Sequence, residues 1–217
     1  VIVVFDDRAR PEIMKKYGFL KRELKIARAV SGWMSPTNIK RLIKNPHVKG
    51  VYLNKKVHAL LDDSVPMIEA DKVWAQGITG EGIKVCIVDT GVGPHSDLKP
   101  LAAQWDFVNN DSDARDDNGH GTHVAGIVAS QDATYKGVAP GANLMAAKVL
   151  DASGSGSYDD VIAGIEWCRD EGADIISLSL GGQAYSNNCD SDVIAQVVNQ
   201  VVSDGVIVVA AAGNEGT

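Results

Sequence analysis

Asp89, His120 and Asn214 bring together the side chains of a hydrolytic centre, and each sits in a local sequence that would fix it. Asp89 ends the apolar run Ile83-Lys84-Val85-Cys86-Ile87-Val88 and is followed by Thr90-Gly91. His120 lies in Gly119-His120-Gly121-Thr122-His123-Val124-Ala125-Gly126, and Asn214 closes Val206-Ile207-Val208-Val209-Ala210-Ala211-Ala212-Gly213. A carboxylate can orient an imidazole, the imidazole can act as general base, and an amide N–H can stabilise a developing oxyanion. A nucleophile is not among the three. A metal reading of His120 and His123 at HxxH spacing is weak, because no Glu stands at the offset of a zinc motif. Gly154-Ser155-Gly156 would need a further Gly at position 159 to complete a phosphate loop, and that position is Asp159. These glycines suit an edge strand that pairs with an extended peptide.

The elements that must position these residues follow from periodicity. From Ile83 onward, fully apolar strands (83–88, 143–150, 174–180, 206–212) alternate with helical stretches (about 120–130, 158–171, 191–203), which predicts a parallel sheet covered on both faces. Asp89, the turn Ser179-Leu180-Gly181-Gly182 and Asn214 all fall at strand C-terminal ends, where such sheets place their sites. Residues 1–61 read differently. A β-rich start at Val1–Phe5 is followed by a helix to Tyr17, strands at 20–26 and 28–34, a helix at 38–44 capped from Ser35-Pro36-Thr37, and one long strand over 48–61. That β-α-β-β-α-β order is a split βαβ pattern. The boundary is placed at Leu61–Asp62.

Charge changes sign at the same point. Residues 1–61 carry 14 Lys and Arg against 4 Asp and Glu, and residues 62–217 carry 7 against 24, which together make the net −7. The basic residues are spread through a foldable pattern, so mutual docking of the two parts is favoured over a nucleic-acid arm. No apolar run approaches the length of a membrane span. The three cysteines make no disulfide framework. Cys86 and Cys168 read as buried thiols, and Cys189, in a loop, as the reactive or paired one.

With these pieces in place, Val88-Asp89-Thr90-Gly91, Asn118 to Gly126 and Ala211-Ala212-Gly213-Asn214 resemble the Asp, His and oxyanion motifs of the subtilisin-like serine proteases. Gly137-Val138-Ala139-Pro140-Gly141 and Gly154-Ser155-Gly156-Ser157-Tyr158 are family-like too. The resemblance implies an α/β fold: a three-layer, parallel-sheet catalytic domain over residues 62–217, incomplete here, preceded by a small α+β ferredoxin-like propeptide over residues 1–61. It implies that His120 is general base and acid, Asp89 its orienting carboxylate and Asn214 the oxyanion donor. Ser155-Gly156 and Ser179-Leu180-Gly181 would flank the substrate backbone, Ala211, Ala212 and Gly213 would line the pocket for the residue before the cleaved bond, and Tyr158 would shape a distal subsite.

The resemblance further implies a secreted, self-processing endopeptidase acting on polypeptides. Its own propeptide would dock on the catalytic domain, its tail Val57-His58-Ala59-Leu60-Leu61 in the cleft, and be cut between Leu61 and Asp62, with the bond after Leu60 the alternative. No organic cofactor, nucleic acid or membrane is expected as a partner. Structural Ca²⁺ is expected of the family, with Asp63 and Asp97 at matching positions. The loop 130–136 is shorter than its counterpart, with Asp132 a substitute, and the acidic stretch Asp106, Asp111, Asp113, Asp116 and Asp117 offers hard oxygens. The chain departs from the family in one respect: it contains no Gly-Thr-Ser nucleophile motif. It therefore reads as a truncated precursor, inactive alone, with a non-catalytic pseudoprotease or propeptide-type inhibitor as the alternative. Any export signal would lie upstream of Val1.

Overall fold

In the computed structural model, which describes residues 1–59, 68–182 and 191–214, the N-terminal part is an antiparallel sheet with helices on one face. Its elements are β1 (Ile2–Phe5), α1 (Pro11–Tyr17), β2 (Phe19–Leu24), β3 (Ala29–Trp33), α2 (Pro36–Leu42) and β4 (Val48–Tyr52), with strand order β2-β3-β1-β4. Proline opens both helices, where its missing N–H costs nothing, and the Ser35 hydroxyl accepts from Asn38 N to cap α2. All four residues of β1 are buried. Val3 and Phe5 pack with Met14 and Leu42 under α1 and α2. Ile2 and Val4 join a core cluster that continues into residues 86–206. This sheet is therefore covered on both faces, by its own helices and by its neighbour.

The predicted strand 48–61 is in fact two strands. The chain turns at Leu53-Asn54-Lys55, and β5 (Lys56–Ala59) leaves for another sheet. Leu53, at the turn, is 72% exposed. Val51, Leu53, Val57 and Ala59 stay in one phase across the turn, with only Lys55 out of pattern, so the alternation did not mark it. Leu60, Leu61, Asp62 and Asp63, and with them the expected boundary and cleavage point, lie outside the described residues.

Beyond α3 (Ala70–Trp74) come β6 (Lys84–Asp89), β7 (Ala103–Asp106), α4 (His120–Ala129), β8 (Asn143–Lys148), β9 (Ser155–Ser157), α5 (Tyr158–Asp170), β10 (Ile175–Leu178), β11 (Leu180–Gly181), α6 (Val193–Ser203) and β12 (Ile207–Ala210). Five strands form a parallel sheet in the order β12-β10-β6-β8-β7. Alternate residues of β6 serve opposite faces: Val85 and Ile87 pack with Val124 and Ala125 of α4. Cys86 and Val88 pack with Val161, Ile165 and Cys168 of α5, and α6 completes that face. The three layers expected of the domain are thus present. On the far side of α5 lies the N-terminal sheet. Edge strand β7 had escaped the sequence reading because its Ala-Gln-Trp-Asp lacks a continuous apolar run. Among the described residues, no helix is long and apolar enough to cross a membrane.

Cys86 and Cys168 are not free thiols. They form a disulfide with Cα atoms 6.0 Å apart, joining β6 to α5 across 82 residues of sequence. Both are fully buried, as expected; what sequence could not show is that helix and strand bring them face to face. Cys189 lies outside the described residues.

Candidate active site

β6 is flanked by β8 on one side and β10 on the other, so the carboxyl end of β6 is the point from which the chain connects outward in both directions. Asp89 ends this strand, fully buried. Its Oδ1 and Oδ2 lie 2.8 and 3.0 Å from Nδ1 of His120, the first residue of α4. Thr90 N–H also donates to Asp89 Oδ1 at 2.6 Å. Two glycines permit the approach: Gly91 takes φ +102°, and a Cβ on Gly121 would collide with the Gly91 carbonyl oxygen.

The first turn of α4 has no cap from its own N-cap residue, Gly119. Its N–H groups instead borrow oxygens: His120 N donates to Asn118 Oδ1, Gly121 N to Thr90 Oγ1 and Thr122 N to Asp116 Oδ2. The hydrogen bond to Asp89 raises the His120 pKa above its ordinary 6.5; burial opposes this, and the charges of Asp89 and Asp116 add to it. The imidazolium is therefore favoured, as a base that must hold a proton between two steps requires.

The other sequence-predicted residues fall into two groups. β9, with Ser155 and Gly156, and β11, with Leu180 and Gly181, are brought together on either side of β5, both antiparallel to it. Tyr158 is buried in the core, its N–H donating to Lys55 O at 3.2 Å, and a Cβ on Gly182 would lie 3.0 Å from its hydroxyl. Ser179 is buried between β10 and β11. Ala211, Ala212, Gly213 and Asn214 follow β12 at the same edge of the sheet as Asp89. Ala211 N donates to Leu178 O, Gly213 takes φ +95°, and Ala212 to Asn214 are exposed.

The described residues do not form a calcium cage. Asp97 and Asp132 both line a crevice of about 1070 Å³ with His95 and His123. Yet Asp97 Oδ1 accepts from Ser96, and Asp132 Oδ1 is used by Thr134 and Tyr135 N–H of its own turn. Four acids of the acidic stretch are likewise committed: Asp106 to Asn109, Asp111 to Asp113 N, Asp116 to α4 and Asp117 to Lys148. Among the described residues, no three His, Cys, Asp or Glu side chains converge as metal ligands.

Sequence reasoning missed a set of acids on α5 that meet the N-terminal sheet. The Asp159 side chain is fully buried and accepts from Ser31 Oγ and Asn54 Nδ2, each at 2.5 Å, with Lys21 Nζ at 3.4 Å. Asp160 pairs with Arg22 at 2.6 Å and Lys21 at 3.1 Å. Glu166 Oε1 accepts from Ile26 and Ala27 N–H at the tip of the β2–β3 hairpin. Only the charge asymmetry hinted at these contacts, since partners lie more than 100 residues apart in sequence.

Burial raises the Glu166 pKa above 4.5, partly offset by those N–H donors. A raised acid contributes stability that is complete below its unfolded value and lost as pH rises through the folded one. Glu166→Gln keeps the accepting oxygen and removes the buried charge. Urea melts should show it at least as stable as the parent at pH 8, with the advantage vanishing below 4.5. A less stable Gln variant at pH 8 would mean the charge itself holds the hairpin.

Sequence comparison agrees with this geometry. The Subtilase family profile matches residues 80–217. The chain is 39% identical over 218 residues to serine protease AprX of Bacillus subtilis (strain 168), covering 93% of this chain and 49% of that protein. It is 47% identical over 156 residues to subtilisin DY of Bacillus licheniformis, covering 70% and 55%, and 36% identical over 212 residues to subtilisin E of Bacillus subtilis (strain 168), covering 94% and 54%. The chain spans about half the length of these curated relatives. With the aspartate and histidine of its motifs hydrogen-bonded at the carboxyl end of a covered parallel sheet, the chain belongs to the subtilase family.

Proposed function

We propose that the chain is part of the self-processing precursor of an exported serine endopeptidase. Its N-terminal sheet is the inhibitory propeptide, and the tail of that domain occupies the substrate cleft. The observation that carries this reading is β5. It lies as the middle strand between β9 and β11, with Val57 opposite Gly156 and His58 opposite both Ser155 and Gly181. An extended peptide held by main-chain hydrogen bonds on two sides is how a cleft binds many sequences without depending on one side chain.

In the proposed reaction, His120 takes the proton of a serine hydroxyl and returns it to the leaving amine, while Asp89 keeps the Nδ1–H tautomer. Asn214 donates to the oxyanion. The serine belongs to a Gly-Thr-Ser motif of the whole protein. Ala211, Ala212 and Gly213 line a roomy apolar pocket for a residue such as Leu61. Calcium, which the family implies, enters no step. The buried Cys86–Cys168 disulfide supports an exported protein, because such bonds form and persist in oxidising compartments. The acids of α5 pair with Lys21 and Arg22 of the N-terminal sheet, which gives the charge asymmetry a use in docking without a nucleic-acid partner.

The test is the processing itself. The whole protein should yield a new N-terminus at Asp62, read by sequencing, and its His120→Ala variant should remain uncut. Cleavage at an unrelated bond, or equal cutting of both proteins, would overturn the propeptide reading.

A further inference from the structure

Asp116 takes no part in the proposed proton transfers, yet five donors converge on it. Its Oδ1 accepts from Thr90 Oγ1 at 2.8 Å, Gly119 N at 2.8 Å and Asn118 N at 3.0 Å. Its Oδ2 accepts from Thr122 N at 2.9 Å and Thr122 Oγ1 at 2.5 Å. A threonine hydroxyl has one proton and two lone pairs. Since Thr90 spends its proton on Asp116, its lone pairs face the Gly121 N–H, 2.8 Å away. Since Thr122 does the same, its lone pairs face the Gly93 N–H, also at 2.8 Å. Thr90 follows Asp89, and Gly121 follows His120. The segment 89–93 and the start of α4 are therefore laced together twice, in opposite senses, and one carboxylate sets the direction of both laces.

We propose that Asp116 is a positioning residue for the Asp89–His120 pair, acting through the hydroxyls of Thr90 and Thr122. The proposal rests on the reading of Asp89 and His120 as an acid–base pair and not on any substrate. A carboxylate suits this place because it only accepts. An amide of the same shape presents one NH₂, and wherever it points it meets donors: Thr90, Asn118 and Gly119 on one side, Thr122 on the other. At least one hydroxyl must turn its proton away, and a backbone N–H that faced the lost oxygen, Thr122 on one side or Asn118 and Gly119 on the other, loses its acceptor inside the site, at a cost that a loosened Asp89–His120 contact can relieve. The Asp116 charge also helps to keep the His120 pKa raised, so the amide acts on the imidazole in two ways.

NMR of this chain reads both effects without any turnover. In the parent, the His120 ring should titrate above 6.5, with its Nδ1–H shifted far downfield by the bond to Asp89. In Asp116→Asn the titration should move down and the downfield proton should broaden or vanish. Thr90→Val and Thr122→Val should each reproduce part of the change, and Thr90→Ser should restore the parental spectrum. A folded Asp116→Asn with the parental titration and downfield proton overturns the proposal. Should that variant fail to fold, identical His120 spectra for Thr90→Val and Thr90→Ser overturn it instead. Absence of peptidase activity in the whole protein would sink the functional reading and leave these outcomes as they are.

Discussion

His120→Ala in the whole protein is expected to lower kcat by about 10⁶-fold and Asp89→Asn by about 10⁴-fold, sizes taken from the corresponding residues of subtilisin and from the trypsin-type triad. Neither should change KM much, because both side chains act on the proton and neither is placed among the strands that hold a peptide. The Asp89 variant is the sharper experiment. Its amide would offer an N–H to Nδ1, turn the imidazole to the other tautomer and leave Nε2 protonated, unable to act as base. The parent's kcat/KM should rise with pH through an apparent value above 6.5, since the Asp89 hydrogen bond holds on to the His120 proton. A loss below tenfold in either variant would remove the pair from the chemistry.

Asp159→Ala should lower the melting temperature of this chain by about 10 °C, while Asp170→Ala leaves it nearly unchanged. Asp159 is the buried acceptor of Ser31 and Asn54, with Lys21 close by. Removing one side of such a set strands the other, at about 3–5 kcal/mol, and a chain of this size loses about 2–4 °C per kcal/mol. Asp170 pairs with Arg169 at the surface, 64% exposed, where an ion pair contributes about 0–1 kcal/mol. Burial alone would raise the Asp159 pKa, but the hydroxyls of Ser157 and Ser31, the Lys21 charge and Asn54 outweigh it and hold it below 3.8. An acid with a depressed value contributes stability that is present above 3.8 and lost as pH falls through the folded value. The joint should therefore survive mild acid and part only below that range. Equal melting of the two variants would show that Asp159 does not hold the domains.

The parallel sheet was legible because β6 and β8 are buried on both faces and so read as largely apolar runs, while β10 keeps Ile175, Ile176 and Leu178 around Ser177. The site was legible through glycines: Gly91 and Gly119 take left-handed φ, and Gly121 lets the Gly91 carbonyl come close. What escaped depends on partners distant in sequence. Val57 and His58 continue the alternation of β4, and nothing nearby says that their partners are Ser155, Gly156 and Gly181. Cys86 and Cys168 each looked like a core residue, and only the packing of α5 on β6 pairs them. The hydroxyls of Thr90 and Thr122 are ordinary in sequence; their roles come from the carboxylate between them.

If β5 is the inhibitory tail proposed above, its placement also sets how inhibition depends on dilution. While residues 56–59 are continuous with the rest of the chain, the strand meets β9 and β11 at the high effective concentration of a short tether, so occupancy of the cleft is indifferent to how dilute the protein is. On that reading a single cut between β5 and α3 leaves the pairings of β5 in place, yet turns that occupancy into a bimolecular equilibrium. From that moment the same hydrogen bonds hold in a crowded compartment and let go in a large volume, and release from the cell would itself act as the activating step.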